Sequence, residues 1–124
     1  MLVYLADKSQ FKADIESGSI DSKIESAIGH KVGVAERRSW NNSLLYMNLV
    51  LSDESIPNDV GIGVELKIPQ TSKRIDVVLS GLNGEGSENV VIVELKQWDA
   101  ATATTKEDIV QTFVGGALRD VAHP

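Results

Sequence analysis

Asp76, Glu94 and Lys96 are the residues whose types and spacing could do chemistry. Glu94 and Lys96 stand two apart in "NVVIVELKQW" (89–98), a run of β-branched residues that predicts a strand. Side chains alternate along a strand, so these two share one face while Val93 and Leu95 share the other. Asp76 lies in a second predicted strand, "KRIDVVLS" (73–80), and "GLNGEGSEN" reads as the loop of a hairpin between the two. If Ser80 pairs near Val90, Asp76 falls opposite Glu94 or its immediate neighbour, and directly opposed Cβ atoms sit about 5 Å apart.

Two carboxylates at that spacing repel unless a positive charge joins them. Mg²⁺ is a fitting partner, because it prefers hard oxygen ligands and often uses only one or two protein carboxylates; Mn²⁺ is the alternative. An ammonium beside the metal, from Lys96, could stabilise negative charge developing on a scissile phosphate or help orient an attacking water. Asp plus Glu-x-Lys is therefore a minimal kit for metal-assisted phosphodiester hydrolysis. On strand pattern alone a second reading has equal weight: the three residues are the solvated face of a sheet, and the Glu–Lys pair contributes little. Against it, Ile75, Val77, Val91, Val93 and Leu95 cover one face while Val78 and Ile92 place apolar bulk beside the charges. Acidic residues on a partly buried face need a reason.

The tetrapeptide "VELK" occurs twice, at 64–67 and 93–96. Only the second has a full upstream strand carrying an aspartate, so the first copy, with Glu65 and Lys67, reads as surface charge. Glu36 lies one helical turn before Trp40 and reads either as an additional site carboxylate or as an acid favoured by the helix N-terminus. Lys73 and Arg74 beside Asp76 could meet phosphate, or Arg74 could pair with a carboxylate. Trp98 follows the charged strand and is open to base stacking, whereas Trp40 reads as core. His30 and His123 are too isolated to bind metal, and Gly115-Gly116 reads as a turn.

The elements that must position these groups follow from periodicity. "LVYLA" (2–6) predicts a short strand, 7–17 a helix capped by Asp7 or Ser9 and ended by Gly18, and 21–33 a second short helix. The strongest helix spans 35–53, with Trp40, Leu44, Met47 and Leu51 on one face. "VGIGVELKIP" (60–69) predicts the first of three strands. After Trp98, "DAATATTKED" reads as a polar loop, and "IVQTFVGGALRDVAHP" as a short strand, a Gly-Gly break and a helical turn. The fold class is α/β, with a mostly antiparallel central sheet flanked by helices.

The chain has 124 residues, 42% of them apolar, which suits one domain with one core. There is no cysteine, which removes disulfides, thiolate metal sites and thiol nucleophiles. No secretory signal is legible, and no apolar run approaches the roughly 20 residues of a bilayer span. The expectation is a cytoplasmic protein with no membrane partner. A net charge of −6 argues against a broad basic nucleic-acid face, although a metal site needs clustered carboxylates and a bound cation changes the local sign.

The order helix, strand, Asp-bearing strand and "VELK"-bearing strand resembles the PD-(D/E)xK nuclease superfamily. More narrowly, "ERRSWNNSL", "IPQTSKRIDVVLSG", "VVIVELKQW" and "TFVGGALRDVAHP" look like the nuclease-like segment ahead of a Schlafen-group-3-like DNA/RNA helicase domain in bacterial and phage proteins. The resemblance implies a restriction-endonuclease-like αβββ core over 35–98, an N-terminal helical extension over 1–34, and an incomplete C-terminal part over 99–124 that stops before a last helix and strand. It implies Asp76 and Glu94 as metal ligands, Lys96 as the catalytic lysine and Glu36 as a helix-borne acid completing the site. It also places Gln97 near metal-bound water or the backbone. DNA or RNA is the implied partner, with a linked helicase/ATPase in a longer protein and room for a homodimer. The alternative is a catalytically silent nucleic-acid-binding or protein-interaction module on the same fold.

Overall fold

A computed structural model describes residues 1–67, 74–96 and 100–122, with backbone alone for residues 66, 67, 74 and 75. The described residues form a mixed α/β structure of three helices and two antiparallel sheets. Its first strand, β1 (Leu2–Asp7), runs directly into α1 (Lys8–Ser17). The Asp7 carboxylate accepts a hydrogen bond from the Gln10 N–H at 2.7 Å, and this cap starts the helix. Gly18 then takes a left-handed φ of 73° and its N–H closes on the Ile15 carbonyl, which stops α1 and frees the chain to begin α2 (Ser19–Ile28) at once. The predicted start of that second helix at residue 21 comes two residues late, because a glycine that ends one helix here also begins the next.

α3 (Val34–Leu51) buries Trp40, Leu44, Met47 and Leu51, the face read from their spacing. These side chains form one core with Phe11, Ile20 and Ile24 of the first two helices, Val3 and Tyr4 of β1, and three strand residues, Ile62, Val64 and Val77. The N-terminal 34 residues are therefore integral to the core rather than an appended extension.

The larger sheet has the order β1-β2-β3-β4, every neighbour antiparallel, with β2 at Gly61–Lys67, β3 at Arg74–Leu82 and β4 at Glu88–Glu94. Its register is continuous: Val64, Val77 and Val93 lie in one cross-strand row, and Ile62, Leu79 and Val91 in another. Alternation puts both rows on the face that meets the helices. The other face carries Gly63, Val78 and Ile92 in one row, and Gly61, Ser80 and Val90 in the next. A Cβ on Gly63 would stand 2.8 Å from Leu2 Cδ1, so the Leu2 side chain lies over the space that a residue there would fill.

Lys8 is buried, and its ammonium donates to the Asp53 and Ile56 carbonyls at 2.9 and 2.7 Å. It thereby holds the connection between α3 and β2 against the start of α1. No helix among the described residues is long and apolar enough to cross a membrane.

The last part of the chain departs from the sequence reading. Residues 101–103, expected in a loop, form β5 (Ala101–Ala103), which pairs with β6 (Ile109–Val114). The helical turn expected after the glycines is a strand, β7 (Ala117–Ala122), paired with β6 from Ile109↔Ala122 to Val114↔Ala117. Gly115 and Gly116 have φ values of 61° and 81°. Two consecutive left-handed residues make the tight turn whose twist matches a hairpin, and they send the chain back along β6 whatever the helix preference of Ala117 and Leu118.

Candidate active site

Asp76 and Glu94 are directly opposed across β3 and β4, in the register that also pairs Ser80 with Val90. Both point to the face turned away from the helices, because their neighbours Val77 and Val93 point toward them. Asp76 is only 4% exposed. Glu94 and Lys96 are partly covered, with side chains 23% and 18% exposed, and the Lys96 ammonium donates to Glu94 Oε1 at 2.6 Å. Two carboxylates and an ammonium thus meet at one end of the sheet.

A third acid joins the row. Glu65 pairs with Asp76 from the other side, so Glu65, Asp76 and Glu94 run across β2, β3 and β4. The two "VELK" copies flank β3 at equivalent heights, Val64 and Val93 against Val77, Glu65 and Glu94 against Asp76. Reading the first copy as surface charge missed this. Its aspartate partner lies downstream in sequence rather than upstream, and the repeated tetrapeptide on both sides of one Asp-bearing strand was the signal available. Glu65 Oε1 lies 3.5 Å from the N-terminal ammonium.

Glu36 is placed otherwise. It sits in the first turn of α3, half-buried, in the helix layer that packs against the opposite face of the sheet. Among the described residues no group of three or more His, Asp or Glu side chains is positioned to hold a metal ion. The structure therefore brings Asp76, Glu94 and Lys96 together and does not add Glu36 as a third ligand, because its helix crosses behind the sheet. Lys73, Gln97, Trp98 and His123 lie outside the described residues, as does the side chain of Arg74. Trp40 is core, 3% exposed.

The donor set suits a hard divalent cation: anionic oxygens only, with no sulfur or imidazole in the row. Asp76 can supply a carboxylate fixed by its buried position, and Glu94 one whose present partner, Lys96, is the group that could turn toward a bound phosphate.

A second polar cluster lies apart from this row and is structural. Asp14, buried in α1, accepts from Tyr4 Oη at 2.6 Å, Lys23 Nζ at 2.7 Å, Gln10 Nε2 at 2.9 Å and Ser19 Oγ at 3.0 Å. Burial alone would raise its pKa, but these donors, Lys23 foremost, hold the carboxyl well below the usual carboxylate range. Tyr4 is pushed up in turn, by burial first and by the Asp14 carboxylate second. The arrangement ties β1, α1 and α2 together.

No family model, curated protein or solved structure matches this chain.

Proposed function

We propose that this chain is a metal-dependent nuclease domain of the PD-(D/E)xK type, hydrolysing DNA or RNA phosphodiester bonds. The carrying observation is the direct opposition of Asp76 and Glu94 with the Lys96 ammonium 2.6 Å from Glu94. The order α3, β2, β3, β4 supports a restriction-endonuclease-like core, and the first-noted resemblance adds a linked helicase/ATPase in a longer protein.

In this reading Asp76 and Glu94 would hold Mg²⁺ or Mn²⁺. The cation, when bound, supplies Lewis acidity toward the phosphate oxygens and acidifies water. The buried Asp76 carboxylate keeps its position through the reaction, which limits reorganisation. Glu94 would hold the cation in place of its present ion pair with Lys96. Lys96, released from Glu94, faces the phosphate and stabilises the charge that builds on its non-bridging oxygens.

The test is cleavage of labelled single- and double-stranded DNA and RNA with Mn²⁺ present. Wild-type chain, Asp76→Asn, Glu94→Gln and Lys96→Met are compared. Each substitution is expected to abolish cleavage while the melting transition stays cooperative. Cleavage that persists in both carboxylate variants rejects the assignment.

A second reading is favoured by the absence, among the described residues, of a group of three side chains positioned to hold a metal ion. In it the domain binds nucleic acid or a protein partner without cutting. Nucleic-acid binding by fluorescence anisotropy, with no Mn²⁺ uptake and no cleavage, would select it.

A further inference from the structure

We infer that the cleft between the start of α1 and the connection from α3 to β2 binds a phosphate dianion, either free or as the head of a small phosphate monoester. The cleft has a volume of about 590 Å³, with Lys8, Ser9 and Lys12 on the helix side and Glu54, Ile56 and Pro57 on the other. That volume lies within the range of small-molecule sites. Lys8 is 8% exposed, and its ammonium donates only to neutral oxygens, the carbonyls of Asp53 and Ile56. Among the described residues no carboxylate forms an ion pair with it. A charge taken out of water is costly unless an opposite charge joins it. The two carbonyls satisfy two of the three ammonium hydrogens and leave the charge itself uncompensated.

The acids nearby are committed or exposed. Asp53 gives its carbonyl to Lys8, while its carboxylate accepts from the Ser55 N–H at 2.8 Å and the Ser55 hydroxyl at 2.6 Å. The Asp7 carboxylate caps α1 through the Gln10 N–H. Glu54 is exposed and can turn into solvent as an anion enters. Lys12 lies one helical turn beyond Lys8 on the same side of α1, and its 4.0 Å contact with Glu16 is exposed at both ends and contributes little. Two ammonium groups against one movable carboxylate make the cleft locally positive in a chain of net charge −6. The Ser9 hydroxyl and the amide of Asn58, which also lines the cleft, add uncharged donors. Donors arriving from two elements suit a dianion with several acceptor oxygens, and Ile56 and Pro57 offer an apolar wall to the body of an ester. Lys8 follows Asp7, which pairs with Gly61 at one end of β2, whereas Glu65 and the acidic row stand toward the other end. The cleft is a site separate from Asp76 and Glu94.

Amide NMR of the whole chain, titrated with inorganic phosphate at constant ionic strength and without divalent ions, tests the inference. Saturable shifts are expected at residues 8–12 and 52–58. Lys12→Gln should raise the Kd about fivefold, the effect of one solvent-screened charge on a dianion. Glu54→Gln should lower it about twofold by removing a repulsion. Both side chains are exposed, so folding is spared. Lys8→Met should remove the saturable shifts, and if that variant fails to fold the two surface variants decide. Glycerol 3-phosphate replaces inorganic phosphate in a second arm: a lower Kd assigns the site to a monoester, and an equal or higher one assigns it to the free anion. Shifts that stay linear in phosphate, shifts scattered outside the cleft, or a Kd unchanged in Lys12→Gln overturn the inference. None of these results bears on whether Asp76 and Glu94 bind metal.

Discussion

Glu94→Gln is the substitution that probes the candidate site most directly. It keeps the side-chain shape and removes one of the two opposed carboxylate charges. A divalent cation about 4 Å from a carboxylate charge gains roughly 2 kcal/mol from it at the dielectric of bulk water, and roughly 8 kcal/mol at an effective dielectric of about 20. Glu94 is 23% exposed and Asp76 is buried, so the solvent-screened figure is a floor. Two kcal/mol corresponds to about 30-fold in Kd. Isothermal calorimetry with Mn²⁺ should therefore show at least that loss in Glu94→Gln and a similar or larger one in Asp76→Asn. Glu36→Gln provides the contrast. Its carboxylate stands in the helix layer and does not join the pair, so Mn²⁺ affinity should stay within about threefold of wild type, a difference of under 1 kcal/mol. An Mn²⁺ affinity indifferent to Glu94 and Asp76, or one that collapses with Glu36, would refute the placement of the metal between β3 and β4.

Other predictions concern the scaffold. Asp14→Ala leaves the Tyr4 hydroxyl buried without its acceptor and Lys23 without its partner, and should cost about 3 kcal/mol in urea unfolding; a loss under 1 kcal/mol would show the cluster to be incidental. The Asp14 carboxyl is held below its unfolded value, so its stabilisation is present above about pH 4 and is lost as pH falls through the lower folded value. Denaturation curves between pH 7 and 2 should fall less steeply in Asp14→Asn than in wild type, and parallel curves would contradict this. Lys8→Met should cost about 2 kcal/mol and raise hydrogen exchange in the connection between α3 and β2, since two carbonyls lose their donor there. Leu44→Ala, at a fully buried site on α3, should cost about 3 kcal/mol by thermal melting, and a loss below 1 kcal/mol would place α3 outside the core.

Local chemistry made much of this chain legible before its fold was known. The Asp7 cap, the Gly18 stop and the Trp40–Leu51 stripe are interactions within one or two helical turns, so neighbouring residues decide them. The opposition of Asp76 and Glu94 was also within reach, because a single loop joins their strands and the alternation of β-branched residues sets the register. The tertiary structure decided whatever depends on partners distant in sequence. Glu65 enters the acidic row only because β2 pairs with the far side of β3, and Glu36 is kept from it only because α3 packs behind the sheet. β1 belongs to the main sheet through its pairing with β2, some sixty residues onward. Residues 117–122 are a strand because a two-glycine turn folds them back on β6, overriding side chains that would suit a helix. Local sequence carries spacing and face; which element lies against which face is set by how the whole chain closes its core.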